Sequence, residues 1–101
     1  MAMASLLVLD ARDNVAVALE SLEAGSRARV AGGALELRDA VPMGHKVALR
    51  AIAAGEQVLK YGAVIGRATV DIAQGAHVHV HNLEGLRGRG DRRPGASGQD
   101  G

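Results

Sequence analysis

Four imidazoles are the residues of this chain best suited to chemistry, and they fall in two places. Three stand at alternate positions in His77-Val78-His79-Val80-His81, followed by Asn82; the fourth is His45, in Pro42-Met43-Gly44-His45-Lys46. Alternate side chains on a strand share a face, so the three would line one side while Val78 and Val80 turn to the core. Same-face neighbours sit about 6.6–7 Å apart along a strand. One pair, His77/His79 or His79/His81, can then converge on a metal with bonds of about 2.0–2.1 Å. The outer two lie roughly 13 Å apart at the backbone, so a site here takes one pair and a ligand from elsewhere. The plainer alternative is a solvated strand face.

His45 is set differently. A loop following Pro42 and Gly44 holds a side chain out of the sheet, where an imidazole near its ordinary pKa moves a proton. Lys46 beside it is placed to hold a carboxylate. Tyr61, the only aromatic residue, is expected in the core with its hydroxyl reaching a partner. Arg87, Arg89, Arg92 and Arg93 are suited to clamp acidic groups of a substrate or another subunit; a solvated tail is the alternative. Arg89-Gly90-Asp91 spells an adhesion tripeptide by chance.

The elements that must position these groups are short. Val15, Ala18, Leu19 and Leu22 recur at helical spacing, with Asp13 as N-cap and Gly25 as stop, which predicts one helix from Asn14 to about Ala24. From Arg27 the period becomes two. Arg27–Val30, Ala34–Arg38, Lys46–Arg50, Gln57–Tyr61 and Ala76–His81 read as strands separated by glycine turns. The expected fold class is mostly β with one short helix, and no internal repeat is evident. Residues 1–83 form one domain, and residues 84–101 a glycine- and arginine-rich tail expected to be flexible towards its end.

Composition narrows the function. The 101 residues include no Phe, no Trp and no Cys, and the net charge is +1. No aromatic platform stacks bases and no basic excess holds a duplex, so nucleic acid is not an expected partner. Disulfides, Fe–S clusters and thiolate zinc sites are excluded. The N-terminus lacks the basic region of a signal peptide, and no segment reaches the roughly 20 apolar residues of a membrane span. A cytoplasmic location without a membrane partner is expected. No phosphate-binding glycine loop, nucleophile elbow or paired-carboxylate site occurs.

Five blocks occur in a fixed order: Asp13-Asn14-Val15-Ala16-Val17-Ala18-Leu19; Pro42 through Leu49; Lys60-Tyr61-Gly62 with Ile65-Gly66-Arg67-Ala68-Thr69; His77 through Asn82; and Gly85-Leu86-Arg87-Gly88-Arg89-Gly90-Asp91. Together they resemble the SAF domain of the altronate and galactarate dehydratase family, over most of the chain. The resemblance implies a β-clip-like SAF fold. It also implies a part in removing water from a sugar acid by β-elimination, with iron or manganese as divalent metal. Relatives carry the domain fused to a large catalytic domain or as a separate small subunit. This chain ends just after the last block, so the expected partner is a separate large catalytic subunit, and the expected substrate a sugar acid. The chain is expected to be inactive alone; its association with further copies of itself is left open. The site residues implied are His45, His79 and Lys46 for catalysis, His77, His79 and His81 for metal, and Asn82, Arg87 and Arg89 for substrate. The alternatives are the small subunit of a sulfolactate sulfo-lyase-like enzyme and a non-catalytic SAF binding module.

Overall fold

The computed structural model describes residues 4–30 and 32–85. They form nine short strands: β1 Ala4–Leu7, β2 Val15–Ala18, β3 Arg27–Val30, β4 Gly33–Glu36, β5 Lys46–Ala48, β6 Gln57–Lys60, β7 Ala63–Ala68, β8 His77–Val78 and β9 Leu83–Gly85. Six of them make one curled sheet in the order β4-β3-β1-β2-β5-β8, and three make a second in the order β6-β7-β9. Leu86 through Gly101, including Arg87, Arg89, Arg92 and Arg93, lie outside the described residues.

The expected helix is absent. Val15–Ala18 is instead a central strand, antiparallel to β1 through Leu6↔Ala18 and to β5 through Val17↔Lys46. Val15, Ala16 and Ala18 are all buried because both faces of β2 are covered, which removes the alternation that marks a strand. Leu19, which the helical stripe would bury, is 51% exposed. The helical spacing was a coincidence of a strand covered on both faces followed by a turn, and β-branched Val15 and Val17 suit the strand.

Asp13 and Asn14, expected to start that helix, fasten the second sheet instead. The carboxylate of Asp13 accepts from the N–H groups of Tyr61 and Gly62 at 2.9 and 2.8 Å. Those two residues form the two-residue turn between β6 and β7, with φ values of 56° and 80°, the conformation that a tight hairpin requires. Tyr61 is therefore 42% exposed at the hairpin tip, and not in the core as expected. Fully buried Asn14 accepts from Leu59 N–H at 2.8 Å and donates to the Gln57 carbonyl at 2.9 Å. Asn14→Ala leaves both backbone groups without these partners, so it should destabilise the domain by about 2–3 kcal/mol in a urea titration. A midpoint equal to wild type would contradict this role.

Against the expectation of no internal repeat, a short one, in which only Gly is identical in every copy, organises the core. Leu22-Glu23-Ala24-Gly25-Ser26-Arg27-Ala28, Val41 to Val47, Ile52 to Val58 and Ile72 to Val78 share the pattern apolar-x-x-Gly-x-x-apolar. In each, the residue after Gly donates its N–H to the residue three before it, as Ser26 to Glu23, His45 to Pro42, Glu56 to Ala53 and Ala76 to Ala73. Each Gly sits at a φ of 83° to 86°, the third position of a type II turn, and this is why only Gly persists there. All eight apolar ends are buried. The first two copies meet through Leu22↔Val41 and fill one core cluster; the last two meet through Ile52↔Ile72 and fill the other. With only three of seven positions constrained, chain-wide self-similarity stays low.

Candidate active site

The second and fourth copies of this turn carry the histidines. His45 leads into β5, and His77 begins β8, which pairs antiparallel with β5 through Lys46↔Val78 and Val47↔His77. His45 lies two before Val47 at the entry to β5, and His77 faces Val47, so the two imidazoles emerge on one face. Nδ1 of His45 lies 2.9 Å from Nε2 of His77, a hydrogen bond in which the tautomer decides which ring nitrogen donates. Their ring centroids are 5.1 Å apart, so the rings meet end to end. The ring of His79 stacks on His45 at 4.0 Å and 15°. His81 contacts the His77 ring, at 5.2 Å and 38°.

The histidine segment differs from the expected strand. Only His77–Val78 is extended; the chain then turns through His79 to Asn82. Val78 is fully buried as expected, but Val80 is 81% exposed. The turn has a local cause. Asn82 accepts from His79 N–H and donates to the His77 carbonyl through its side-chain amide, both at 2.9 Å, while its own N–H donates to the His79 carbonyl at 3.1 Å. Asn82, implied to hold substrate, is buried and uses both ends of its amide to hold the turn. His77 N–H is gripped by the carboxylate of Asp39 at 2.9 Å, a partner sequence reading missed. No local signal marked it, because Asp39 lies 38 positions away.

The convergent set is therefore His45, His77 and His79, each offering a ring nitrogen within 4.8 Å of the others. Of the residues implied as metal ligands, His77 and His79 belong to it and His81 does not, and His45 joins them from another strand. Burial, followed by the positive charge of neighbouring histidines, pushes the pKa of His77 below its ordinary value; His79 is lowered by burial, then by His45 and Lys46. Neutral imidazoles are the form that binds metal. Burial and the nearby charge of Lys60 also lower half-buried Lys46.

These shifts fix a pH dependence. With folded-state values below 6.5, the unfolded chain binds more protons than the folded one just under that pH. Stability should be complete above about pH 6.5 and fall as pH drops through that value, as denaturant midpoints at pH 7.5 and 5.5 would show. Equal midpoints, or a higher one at pH 5.5, would contradict the assignment.

Among the described residues, no helix is long and apolar enough to cross a membrane. Among the described residues the fold is β throughout, with imidazoles converging at one sheet edge, which makes the class a small β domain with a histidine cluster. Comparison with known proteins carries this further. The chain belongs to the altronate/galactarate dehydratase SAF domain family, whose model matches residues 4–86. It is 40% identical over 82 residues to altronate dehydratase of Bacillus subtilis, covering 81% of this chain and 16% of that protein. It is 51% identical to altronate dehydratase of Escherichia coli, covering 73% of this chain and 15% of that one. It is also 52% identical to the alpha subunit of (2R)-sulfolactate sulfo-lyase from Chromohalobacter salexigens, covering 52% of this chain and 55% of that subunit. The chain thus spans under a fifth of the two dehydratases, and its family is one of lyases.

Proposed function

We propose that this domain is the small subunit of a sugar-acid dehydratase, completed by a separate large catalytic subunit. The observation that carries the reading is the convergence of His45, His77 and His79 in a chain of the dehydratase SAF family. β-Elimination from a sugar acid needs a base for the proton α to a carboxylate, an acid for the leaving hydroxyl, and positive charge for the enediolate. Three converging imidazole nitrogens form a donor set that suits a divalent transition metal, and imidazole favours iron over manganese. His45, His77 and His79 would hold the ion, which supplies the positive charge when bound. His45 then serves as a ligand and not as a free proton carrier. Asp39 and Asn82 orient the segment that bears His77 and His79.

A domain this small cannot enclose a polar substrate and exclude water, so the base and the rest of the pocket come from the large partner. A sulfo-lyase role is the second reading. It is favoured by the match to an alpha subunit over 55% of that subunit's length, which also supports a separate small chain. The test is a chimera in which residues 4–86 replace the matching region of the Bacillus subtilis altronate dehydratase. It should dehydrate altronate with iron(II), while this chain alone should not. A folded chimera without turnover, or turnover by the isolated chain, would overturn the proposal.

A further inference from the structure

The turn that delivers His45 also contains a β-bulge. Gly44 N–H donates to the Ala18 carbonyl at 2.8 Å, and Ala18 N–H donates to the His45 carbonyl at 2.9 Å. Two residues of the turn thus oppose the single residue that ends β2, and the first of the two is a glycine at a φ of 85°. In this form of bulge a left-handed glycine bends the strand and re-aims the side chain that follows. The other three copies of the turn carry the same device. Gly25 and Ser26 oppose Leu37, Gly55 and Glu56 oppose Ala68, and Gly75 and Ala76 oppose Ala48, each with the same pair of hydrogen bonds.

The residue after the glycine is used differently from copy to copy. Ser26 Oγ donates to the Glu23 carbonyl of its own turn, and Glu56 Oε1 accepts from Ala53 N–H of its own turn. His45 reaches out of its turn, with Nδ1 2.9 Å from His77 Nε2 and its ring centroid 4.0 Å from that of His79. Its main chain is held at both ends, the carbonyl by Ala18 and the N–H on the Pro42 carbonyl at 3.0 Å. A turn of this type closes only around a left-handed residue at position 44. A Cβ at Gly44 would meet nothing within 4 Å, so conformation and not space selects glycine here.

We propose that Gly44 is a positioning residue of the histidine site: its left-handed backbone aims His45 at His77 and His79, so that the three ring nitrogens converge. This rests on the reading of His45 as a donor and deepens it. Asp39 and Asn82 hold the segment of His77 and His79, whereas the bulge places the one donor that comes from another strand. Alanine at position 44 resists the left-handed region, and the turn yields by letting His45 shift away from its partners. Asparagine enters that region far more readily and keeps the aim.

The experiment is a titration of the full chain with cobalt(II) alone, followed by its visible absorption. Gly44→Ala should weaken cobalt binding roughly tenfold or more, the scale of losing a group that orients a ligand. Gly44→Asn should stay within about threefold of wild type. Gly55→Ala is the control: it has the same turn and bulge, a φ of 86° and the same open space, but bears no histidine. It should shift the urea midpoint as Gly44→Ala does and leave cobalt affinity unchanged. Wild-type affinity in Gly44→Ala, an equal loss in Gly55→Ala, or as large a loss in Gly44→Asn would overturn the proposal. His45→Ala tells the two failures apart. If it binds cobalt like wild type, His45 is no donor and the histidine reading falls with the proposal. If it loses cobalt while Gly44→Ala does not, only the positioning role falls.

Discussion

Gly75→Ala should be the most damaging single methyl in this domain. A Cβ at Gly75 would stand 2.2 Å from the carbonyl oxygen of Glu36, at a φ of 84°. Two penalties coincide there. The left-handed backbone costs an L-residue about 1–2 kcal/mol, and the contact forces backbone apart where no flexible side chain can yield. The backbone is tied on both sides, since Gly75 N–H donates to the Ala48 carbonyl and Arg38 N–H donates to the Gly75 carbonyl. The expected loss is at least about 3–4 kcal/mol, a large share of the 5–15 kcal/mol typical of a domain. Gly25 and Gly55 occupy the same turn position with φ of 83° and 86°, but an added Cβ there meets nothing within 4 Å. Gly25→Ala and Gly55→Ala should therefore show the backbone penalty alone. Urea midpoints of the three variants make the comparison. Equal losses at all three would show that φ alone decides and that the Glu36 contact yields.

The same turns show what the sequence makes legible and what it hides. From Arg27 onward, alternation located β3 and most of β4 to β6; β3 and β4 bury one face each, and at β5, where Val47 and Ala48 are both buried, the polar Lys46 and Arg50 kept the period of two visible. It failed at β2, buried on both faces, and at the histidine segment, where Asn82 bends the chain after Val78. The three alternate histidines suggested a shared face, yet His81 stays outside the convergent set. The missing member, His45, lies 32 positions from His77. Its place is fixed by the Val47↔His77 register, which no local spacing encodes. Strand geometry showed that a metal site would need one group beyond a neighbouring pair, whereas only the fold shows His45 beside that pair.

His45 and His81 consequently carry opposite expectations, and this contrast bears most directly on function. If His45, His77 and His79 form the donor set, His45→Ala and His79→Ala should each lower turnover of the assembled enzyme by at least about 100-fold. Loss of groups that merely orient a ligand typically costs 10–100-fold, and loss of the ligand itself removes more. His81→Ala, whose ring lies 5.2 Å from His77 but outside the set, should keep turnover within about threefold, since it removes no donor. Removing His45 also leaves His77 without its 2.9 Å hydrogen bond, but the backbone of His77 and His79 remains held by Asp39 and Asn82. The fold should therefore survive, as the urea midpoint would show. Iron(II) affinity separates the remaining roles. A ligand at position 45 predicts that His45→Ala weakens metal binding together with turnover, while a proton carrier predicts normal binding and a slower chemical step. Full turnover in both His45→Ala and His79→Ala would remove the histidines from the chemistry. A large loss confined to His79→Ala and His81→Ala would restore the trio that alternation first suggested.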